Sequence, residues 1–316
     1  MKANSSYLNY LKTRKRSDIL IVGGGIVGSS IARNLGLKYP NKRIFLLEKD
    51  NKLGKHNSTM NSGVLHAGLY YPTGSNRAKY CVKGNKLLTN YHKEKKIEVN
   101  YCGKLIIPKN KEESERIDEL YEQGRRNGVE NLRIINRSEA EKIEPNLKLD
   151  KDYKIIFSGE TKIGNPRRVI EELERDIDSI SNVTKMTNCG FEYLIKNEKD
   201  EIILQDSNGD IHETSFIINA AGLYADKIAK KFEVGLNYEL LPLMGTYLVD
   251  RKYKNLNFST SLENLKEITS NSSNLKTLIY PVPPSQATKG NNFLGVHTTI
   301  TSEGEVKLGP TALPCL

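Results

Sequence analysis

Six residues, Gly23-Gly24-Gly25-Ile26-Val27-Gly28, constrain the fold of this chain more than any others. They satisfy G-x-G-x-x-G. They directly follow a short β-branched run, Asp18–Val22, and open the stretch Gly28–Tyr39, where Ile31, Ala32 and Leu35 have helical spacing. A second apolar strand, Arg43–Leu47, ends at Glu48. Together these make one βαβ unit. In such a unit Gly23 permits the tight turn, Gly25 lets the backbone approach a pyrophosphate, and Gly28 lets helix pack closely on strand. The helix N-terminus then presents free N–H groups and a partial positive charge to the phosphates. Glu48, twenty residues beyond Gly28, stands where an acid accepts hydrogen bonds from a ribose diol, which disfavours a 2′-phosphate. A glycine-rich turn in a nucleotide-free domain does not account for strand, helix and acid together.

Beyond this unit, Asn51–Thr73 reads as a loop rich in Gly, Ser, Asn and His. Helices are expected over Arg77–Lys93, Lys111–Gly128, Ser138–Glu144, Pro166–Ser179 and Leu223–Phe232. Strands are expected over Tyr101–Pro108, Phe191–Gln205 and Ser215–Asn219, then Leu240–Asp250, Leu278–Val282, Phe293–Thr299 and Glu305–Gly309. Helix–strand alternation thus gives way to short strands. The expected fold is α/β: a Rossmann-like nucleotide-binding domain (residues 17–95 and 160–232) interleaved with a mainly antiparallel β substrate domain (96–159 and 233–316), after a basic N-terminal extension (1–16).

Composition narrows the function classes. The net charge is +10, from 48 basic and 38 acidic residues, but the bases are interleaved with acids, as in Lys109–Glu122. A phosphate-tracking stripe would cluster them, so nucleic acid is not an expected partner. No apolar run approaches the ~20 residues of a membrane-spanning helix. Cys81, Cys102, Cys189 and Cys315 form no C-x-x-C pair and no zinc spacing; free thiols in a reducing compartment, and no metal, are expected. The first sixteen residues carry Lys2, Lys12, Arg14, Lys15 and Arg16 with no acid. A cytoplasmic protein with a disordered extension fits this, and a mitochondrial presequence is the alternative.

NAD and FAD both contain ADP, and the glycine motif does not separate them. Phe216-Ile217-Ile218-Asn219-Ala220-Ala221-Gly222 is an apolar strand ending in small residues. It reads either as a second turn lying against the dinucleotide or as an ordinary parallel strand with a glycine turn. Here the chain resembles the D-amino-acid-oxidase-like FAD oxidoreductases, and among them the L-2-hydroxyglutarate dehydrogenases/oxidases. The resemblance rests on Ile21–Gly28, Leu46-Leu47-Glu48-Lys49, Cys102-Gly103-Lys104-Leu105, Ala221-Gly222-Leu223-Tyr224-Ala225-Asp226, Ile279-Tyr280-Pro281-Val282-Pro283 and Phe293-Leu294-Gly295-Val296-His297. Above all it rests on Asn61-Ser62-Gly63-Val64-Leu65-His66-Ala67-Gly68-Leu69-Tyr70-Tyr71.

The resemblance implies FAD as cofactor. It places Gly23, Gly25, Gly28 and Glu48 at the ADP moiety, with Lys49 also counted as cofactor-binding. Asn61, Ser62 and Gly63 would lie along the pyrophosphate and ribityl chain, and Ala220, Ala221 and Gly222 would flank the dinucleotide. His66 and His297 are the catalytic candidates, His66 near the flavin and His297 near the substrate, since histidine titrates near neutrality. His56, His92 and His212 read as ordinary surface or loop residues. The implied reaction is oxidation of a 2-hydroxy acid, L-2-hydroxyglutarate to 2-oxoglutarate, by hydride transfer to flavin N5. The electron acceptor (oxygen, quinone or carrier protein) is left open. Three departures matter. Met60 stands where these enzymes have His, Met244 stands where they have Arg, and the chain stops at Leu316, where they continue. The first two keep an amine or amino-acid oxidase as an alternative. The third makes the C-terminal part of the FAD domain an expected omission and adds a truncated, inactive flavoprotein-like fragment as another alternative.

Overall fold

The computed structural model describes residues 14–199, 201–250, 275–283 and 295–315. These divide into two compact units. One comprises the described residues up to Asn61 with Pro166–Pro242; the other comprises Ser62–Asn165 with the described residues from Leu243 onward.

The first unit is built on a six-stranded sheet. In spatial order its strands are Phe191–Glu198, Glu201–Asp206, Ile211–Asn219, Lys15–Val22, Ile44–Leu47 and Val183–Met186. Lys15–Val22 pairs in parallel with strands on both sides, Val22 lying opposite Leu47 and Asn219. Ile44–Leu47 runs parallel to Val183–Met186, whereas the Phe191–Asn219 end is antiparallel. Leu20, Ile21, Ile44 and Leu46 are fully buried, as near-continuous apolar runs in a covered parallel sheet should be. Helices lie against this unit's core, among them Ala225–Lys231, which buries Ile228. Ile26–Lys38 buries Gly28, Ser29, Ala32 and Gly36, and Pro166–Ser179 buries Val169, Ile170, Leu173 and Ile177. Arg33 meets Asp176 between them at 2.6 Å.

The first strand starts at Lys15, inside the basic stretch assigned to an extension. Lys15 and Arg16 pair in register with His212 and Glu213, and their charges meet Asp210 at 2.6 Å and Glu213 at 3.1 Å. The rest of that stretch, up to residue 13, lies outside the described residues.

The second unit carries a seven-stranded sheet. Its order is Leu248–Asp250, Val306–Gly309, His297–Ile300, Leu278–Pro281, Lys104–Ile107, Ile155–Ser158 and Leu132–Ile135. Only the Leu278–Pro281/Lys104–Ile107 pair is parallel. A three-stranded sheet orders Val64–Leu65, Lys162–Gly164 and Val99–Asn100. The core gathers Leu105, Ile106, Ile117, Ile155, Ile156, Leu278 and Ile279. The expected Phe293–Thr299 strand is seen as His297–Ile300, with Phe293 and Leu294 outside the described residues.

Two local expectations change. The charged helix expected over Lys111–Gly128 is two helices, Lys111–Glu115 and Ile117–Arg126, broken at Arg116. The Arg116 guanidinium there donates to the Pro283 carbonyl at 2.8 Å, a contact that local periodicity does not report. The helix Asn76–Glu94, placed with the nucleotide-binding domain by sequence, groups with the second unit. Its Asn85 amide donates to the carbonyls of Leu65 (3.0 Å), His66 (3.1 Å) and Glu160 (3.0 Å), and its Oδ1 accepts from Lys162 at 3.1 Å.

Candidate functional site

In the first unit the glycine motif joins the strand ending at Val22 to the helix Ile26–Lys38. Gly23 N–H donates to Leu47 O at 2.8 Å, and Ala220 N–H donates to Val22 O at 2.8 Å. The three parallel strand ends therefore converge on one turn. Gly23 has φ +106°, and a Cβ there would sit 2.4 Å from Ala220 O. A Cβ on Gly28 would lie 1.9 Å from Gly23 O. Both glycines are demanded by the fold itself.

Gly25 differs. Its backbone, φ −73° and ψ −179°, suits any L-residue, and a Cβ would touch only the Ser58 hydroxyl, at 2.9 Å. Among the described residues, its chain neighbours apart, nothing else lies within 4 Å of that position, which opens at a helix N-terminus. That is the fit expected of a dinucleotide pyrophosphate, whose approach a side chain at Gly25 would block. Ser58 Oγ accepts from Ile26 N–H at 2.8 Å, so this serine already caps the same helix end. The sequence carried no signal for Ser58 beyond its place in a polar loop.

Glu48 is buried, and both its oxygens are engaged. Oε2 accepts from Gly24 N–H at 2.8 Å and Oε1 from Asp50 N–H at 2.9 Å. Each oxygen keeps a second lone pair, so the carboxylate can shape the loop and still accept from a ribose hydroxyl. Lys49 is exposed, its Nζ 3.9 Å from the centre of the Tyr224 ring. His56 is exposed too and meets Asp50 at 3.1 Å. Ala220 closes the turn, Ala221 N–H donates to Asn219 Oδ1 at 3.2 Å, and Gly222 (φ +56°) starts a short 3-10 turn with open space where a Cβ would be. The Asn61 side-chain amide donates to the carbonyls of Asn57 and Ser58, both at 3.0 Å, which fixes the loop bearing Ser58. These groups fit the ADP half of FAD.

The second unit holds a separate cluster. The segment Val64–Tyr71 is gripped by side-chain amides: Asn85 at Leu65 and His66, Gln123 at Leu69 O (3.0 Å), and Asn127 at Gly68 O (3.0 Å) and Tyr71 O (2.8 Å). Ser62 lies within bonding reach of Tyr247, and Gly63 O accepts from Gly164 N–H at 2.9 Å. The His66 ring sits edge-on to Tyr280, with centroids 6.3 Å apart. On the strand beside Tyr280, His297 stacks on it at 3.7 Å. His297 Nδ1 lies 2.8 Å from Gly295 O, which assigns the proton to Nδ1 and leaves Nε2 as an acceptor. His66 and His297 are thus brought to one place, on either side of one tyrosine.

Burial, with Lys104 and His297 nearby, holds His66 down to about 3, although its ring keeps some accessible surface. Burial also brings His297 to about 4, against the bond to Gly295. Both imidazoles are neutral at pH 7. Lys104, 1% exposed within an all-buried strand, is pushed by burial down to about 7. The sequence signal for this residue is a cation placed directly before the apolar run Leu105-Ile106-Ile107.

His92 and His212, read from sequence as surface or loop residues, are buried at 1% and 0% exposure. His92 Nδ1 lies 2.7 Å from Leu88 O, and the ring fills the space beside Gly164. His212 Nε2 and Cys189 Sγ both meet Asp206 Oδ2, at 2.8 and 3.0 Å. That buried triad ties the first unit's hairpin to the loop after Val183–Met186, with Asp206 Oδ2 as the shared partner of the other two. Met244 and Met60 are exposed (48% and 70%) and bring no charge. All four cysteines are free. No helix among the described residues is long and apolar enough to cross a membrane.

Comparison with known proteins adds to this geometry. Residues 18–314 match the family described as FAD dependent oxidoreductase. The chain is 34% identical over 306 residues to L-2-hydroxyglutarate dehydrogenase, mitochondrial, of Bos taurus, an alignment covering 94% of this chain and 61% of that protein. The protein of the same name in Dictyostelium discoideum is 33% identical over 312 residues, covering 94% and 64%. The chain therefore spans less than two thirds of the length of these relatives. Among solved structures, FAD-bound L-alpha-glycerophosphate oxidase from Mycoplasma pneumoniae superposes with a TM-score of 0.76 at 24% identity, over 96% of this chain and 73% of that one.

Proposed function

The chain belongs to the FAD-dependent oxidoreductases, and from that premise we propose that it takes part in the oxidation of a 2-hydroxy acid, L-2-hydroxyglutarate giving 2-oxoglutarate. The names of its relatives support the substrate. The observation that carries the chemistry is the pair of neutral histidines on either side of Tyr280, beside the buried Lys104.

FAD, when bound, supplies the two-electron acceptor that takes the α-hydrogen of the substrate as hydride. Gly23, Gly25, Gly28, Glu48, Ala220, Ala221 and Gly222, with Lys49 at the rim and Asn61, Ser62 and Gly63 along the following loop, are proposed to hold it. The hydroxyl proton must leave as the hydride does. In this reading His66 accepts it, because its ring nitrogens make no hydrogen bond among the described residues and its imidazole is unprotonated at pH 7. An anionic substrate beside the ring raises its proton affinity, which strengthens the base when it is needed. His297, with its tautomer held by Gly295, stacks on Tyr280 and is proposed to line the substrate side of the site. The buried tyrosine and histidine rings keep water from the reacting carbon.

The relatives' mitochondrial names favour the mitochondrial reading of the basic N-terminal stretch. An anaerobic panel tests the activity: FAD-loaded protein is mixed with L- and D-2-hydroxyglutarate, lactate, glycine and L-proline while the visible flavin absorption is followed. Bleaching by L-2-hydroxyglutarate supports the reading. Bleaching by the amino acids alone replaces it with an amine oxidase, and no bleaching by any 2-hydroxy acid sinks it.

A further inference from the structure

Lys104 is out of place by the ordinary rules of burial. It opens the strand Lys104–Ile107, in which every residue is buried, and only 1% of its own surface is exposed. Its Nζ lies 4.3 Å from the centre of the Tyr70 ring and 4.8 Å from that of Tyr280. Those ring faces offset part of the lost hydration of an ammonium. They do not replace a counter-charge, and an unpaired buried cation is strongly disfavoured.

The titratable groups around it supply no anion. On the segment from Val64 stand His66 and Tyr70; on the helix Asn76–Glu94, Cys81; beside Lys104 itself, Cys102; on the adjacent strand Leu278–Pro281, Tyr280, and on the strand beyond it, His297; the other adjacent strand, Ile155–Ser158, carries no titratable group. Burial pushes the thiols of Cys81 and Cys102 upward, the latter to about 11, and both phenols upward as well, so all four stay neutral at pH 7. Among the described residues no carboxylate pairs with Lys104.

A second observation is independent of charge. The Tyr70, Tyr280 and Thr299 hydroxyls are each buried without a hydrogen-bond partner, although Tyr280 and Thr299 approach one another at poor geometry. Buried polar groups are nearly always satisfied, so three orphans beside a lone cation mark a place where a polar ligand completes the structure.

We propose that Lys104 is the carboxylate anchor of the substrate, its ammonium pairing with one carboxylate of the dicarboxylic 2-hydroxy acid while the orphaned hydroxyls donate to the same group. This deepens the function proposed above and rests on it. It also supplies the cation that Met244, exposed and uncharged, does not. The anion restores the proton that burial removes, so binding takes up protons from solution.

The test is calorimetric titration of the FAD-loaded full chain with glutarate and 2-oxoglutarate, neither of which can be oxidised here. It is run at pH 7 and pH 8 in buffers of different ionisation enthalpy. With an unliganded value of about 7, the wild type should take up roughly half a proton per site at pH 7 and close to one at pH 8, with affinity falling about tenfold per pH unit above that. Lys104→Met should keep its flavin and its circular dichroism, bind both probes at least 100-fold more weakly, and take up no proton. Lys104→Arg should recover part of the affinity without the proton uptake. Wild-type affinity in Lys104→Met, binding without proton uptake in the wild type, or no binding of either probe overturns the anchor. Failure of the parent reading looks different: an amino acid reduces the flavin while binding still depends on Lys104.

Discussion

Replacing in turn two glycines of one motif, Gly25 and Gly28, three positions apart, should separate what the fold needs from what the cofactor needs. In Gly28→Ala the new methyl sits 1.9 Å from Gly23 O, well over 1 Å inside van der Waals contact. The carbonyl has little room to retreat, because the turn is held by Gly23 N–H to Leu47 O and Ala220 N–H to Val22 O, both 2.8 Å, with Gly23 at φ +106°. Overpacking of this kind costs about 3 kcal/mol or more, which in a chain of this size lowers Tm by roughly 6–12 °C. In Gly25→Ala the methyl meets only Ser58 Oγ, at 2.9 Å, and φ −73° suits alanine. Ser58 rotates away and gives up its bond to Ile26 N–H, a loss of about 1 kcal/mol. The stiffer unfolded chain offsets roughly 0.4–1 kcal/mol of that, so Tm should move by no more than ~3 °C. The methyl nevertheless occupies the approach to the helix N-terminus, and FAD affinity should fall at least about 100-fold, equivalent to about 2.7 kcal/mol. Thermal melts of the apo-protein, paired with fluorescence titration of FAD, read both quantities. Wild-type FAD affinity in Gly25→Ala, or equal destabilisation by the two substitutions, would refute the reasoning.

Three further outcomes follow from the same structure. His66→Asn should slow flavin reduction by roughly 10²–10⁴-fold while leaving FAD affinity within twofold; stopped-flow reduction and FAD titration read the two. The depressed values of His66 (about 3) and His297 (about 4) mean that the unfolded chain binds more protons between about pH 4 and 6.5. Stability should therefore fall as pH drops through that window, and His297→Asn should flatten the fall in a denaturant series. Glu144 is wholly buried, and its Oε2 accepts from the N–H groups of Lys276 and Thr277 at 2.6 and 3.1 Å. Glu144→Gln turns one acceptor into a donor facing donors and should destabilise by about 1–3 kcal/mol in chemical denaturation.

The parts of the fold legible in the sequence were those governed by local chemistry. Gly23–Gly28 with its flanking strands and Glu48 occupies about thirty consecutive residues, and each role follows from spacing. What escaped was decided by contacts distant in sequence. Arg116, where the helix breaks, bonds the carbonyl of Pro283, 167 positions away. Asn85 draws the helix Asn76–Glu94 to the Val64–Tyr71 segment through hydrogen bonds that no periodicity reports. His212 reads from sequence as a surface or loop residue, yet Asp206, itself bonded to Cys189, meets it in a buried site. In the candidate site, His66 and His297 were read from residue type and resemblance, and the structure adds the tyrosine between them. Lys104 was visible as a charge within an apolar strand, but only its surroundings, two ring faces and no acid, show why that matters.

The proposed function requires this chain to position FAD against a 2-hydroxy acid. The most direct measurement is the visible spectrum of the FAD-loaded 316-residue protein, without oxygen, before and after L-2-hydroxyglutarate, with 2-oxoglutarate assayed in the same sample. The account predicts that the oxidised flavin band bleaches with L- but not D-2-hydroxyglutarate, and that one 2-oxoglutarate forms per flavin reduced. A flavin that binds and stays oxidised with every 2-hydroxy acid would contradict it.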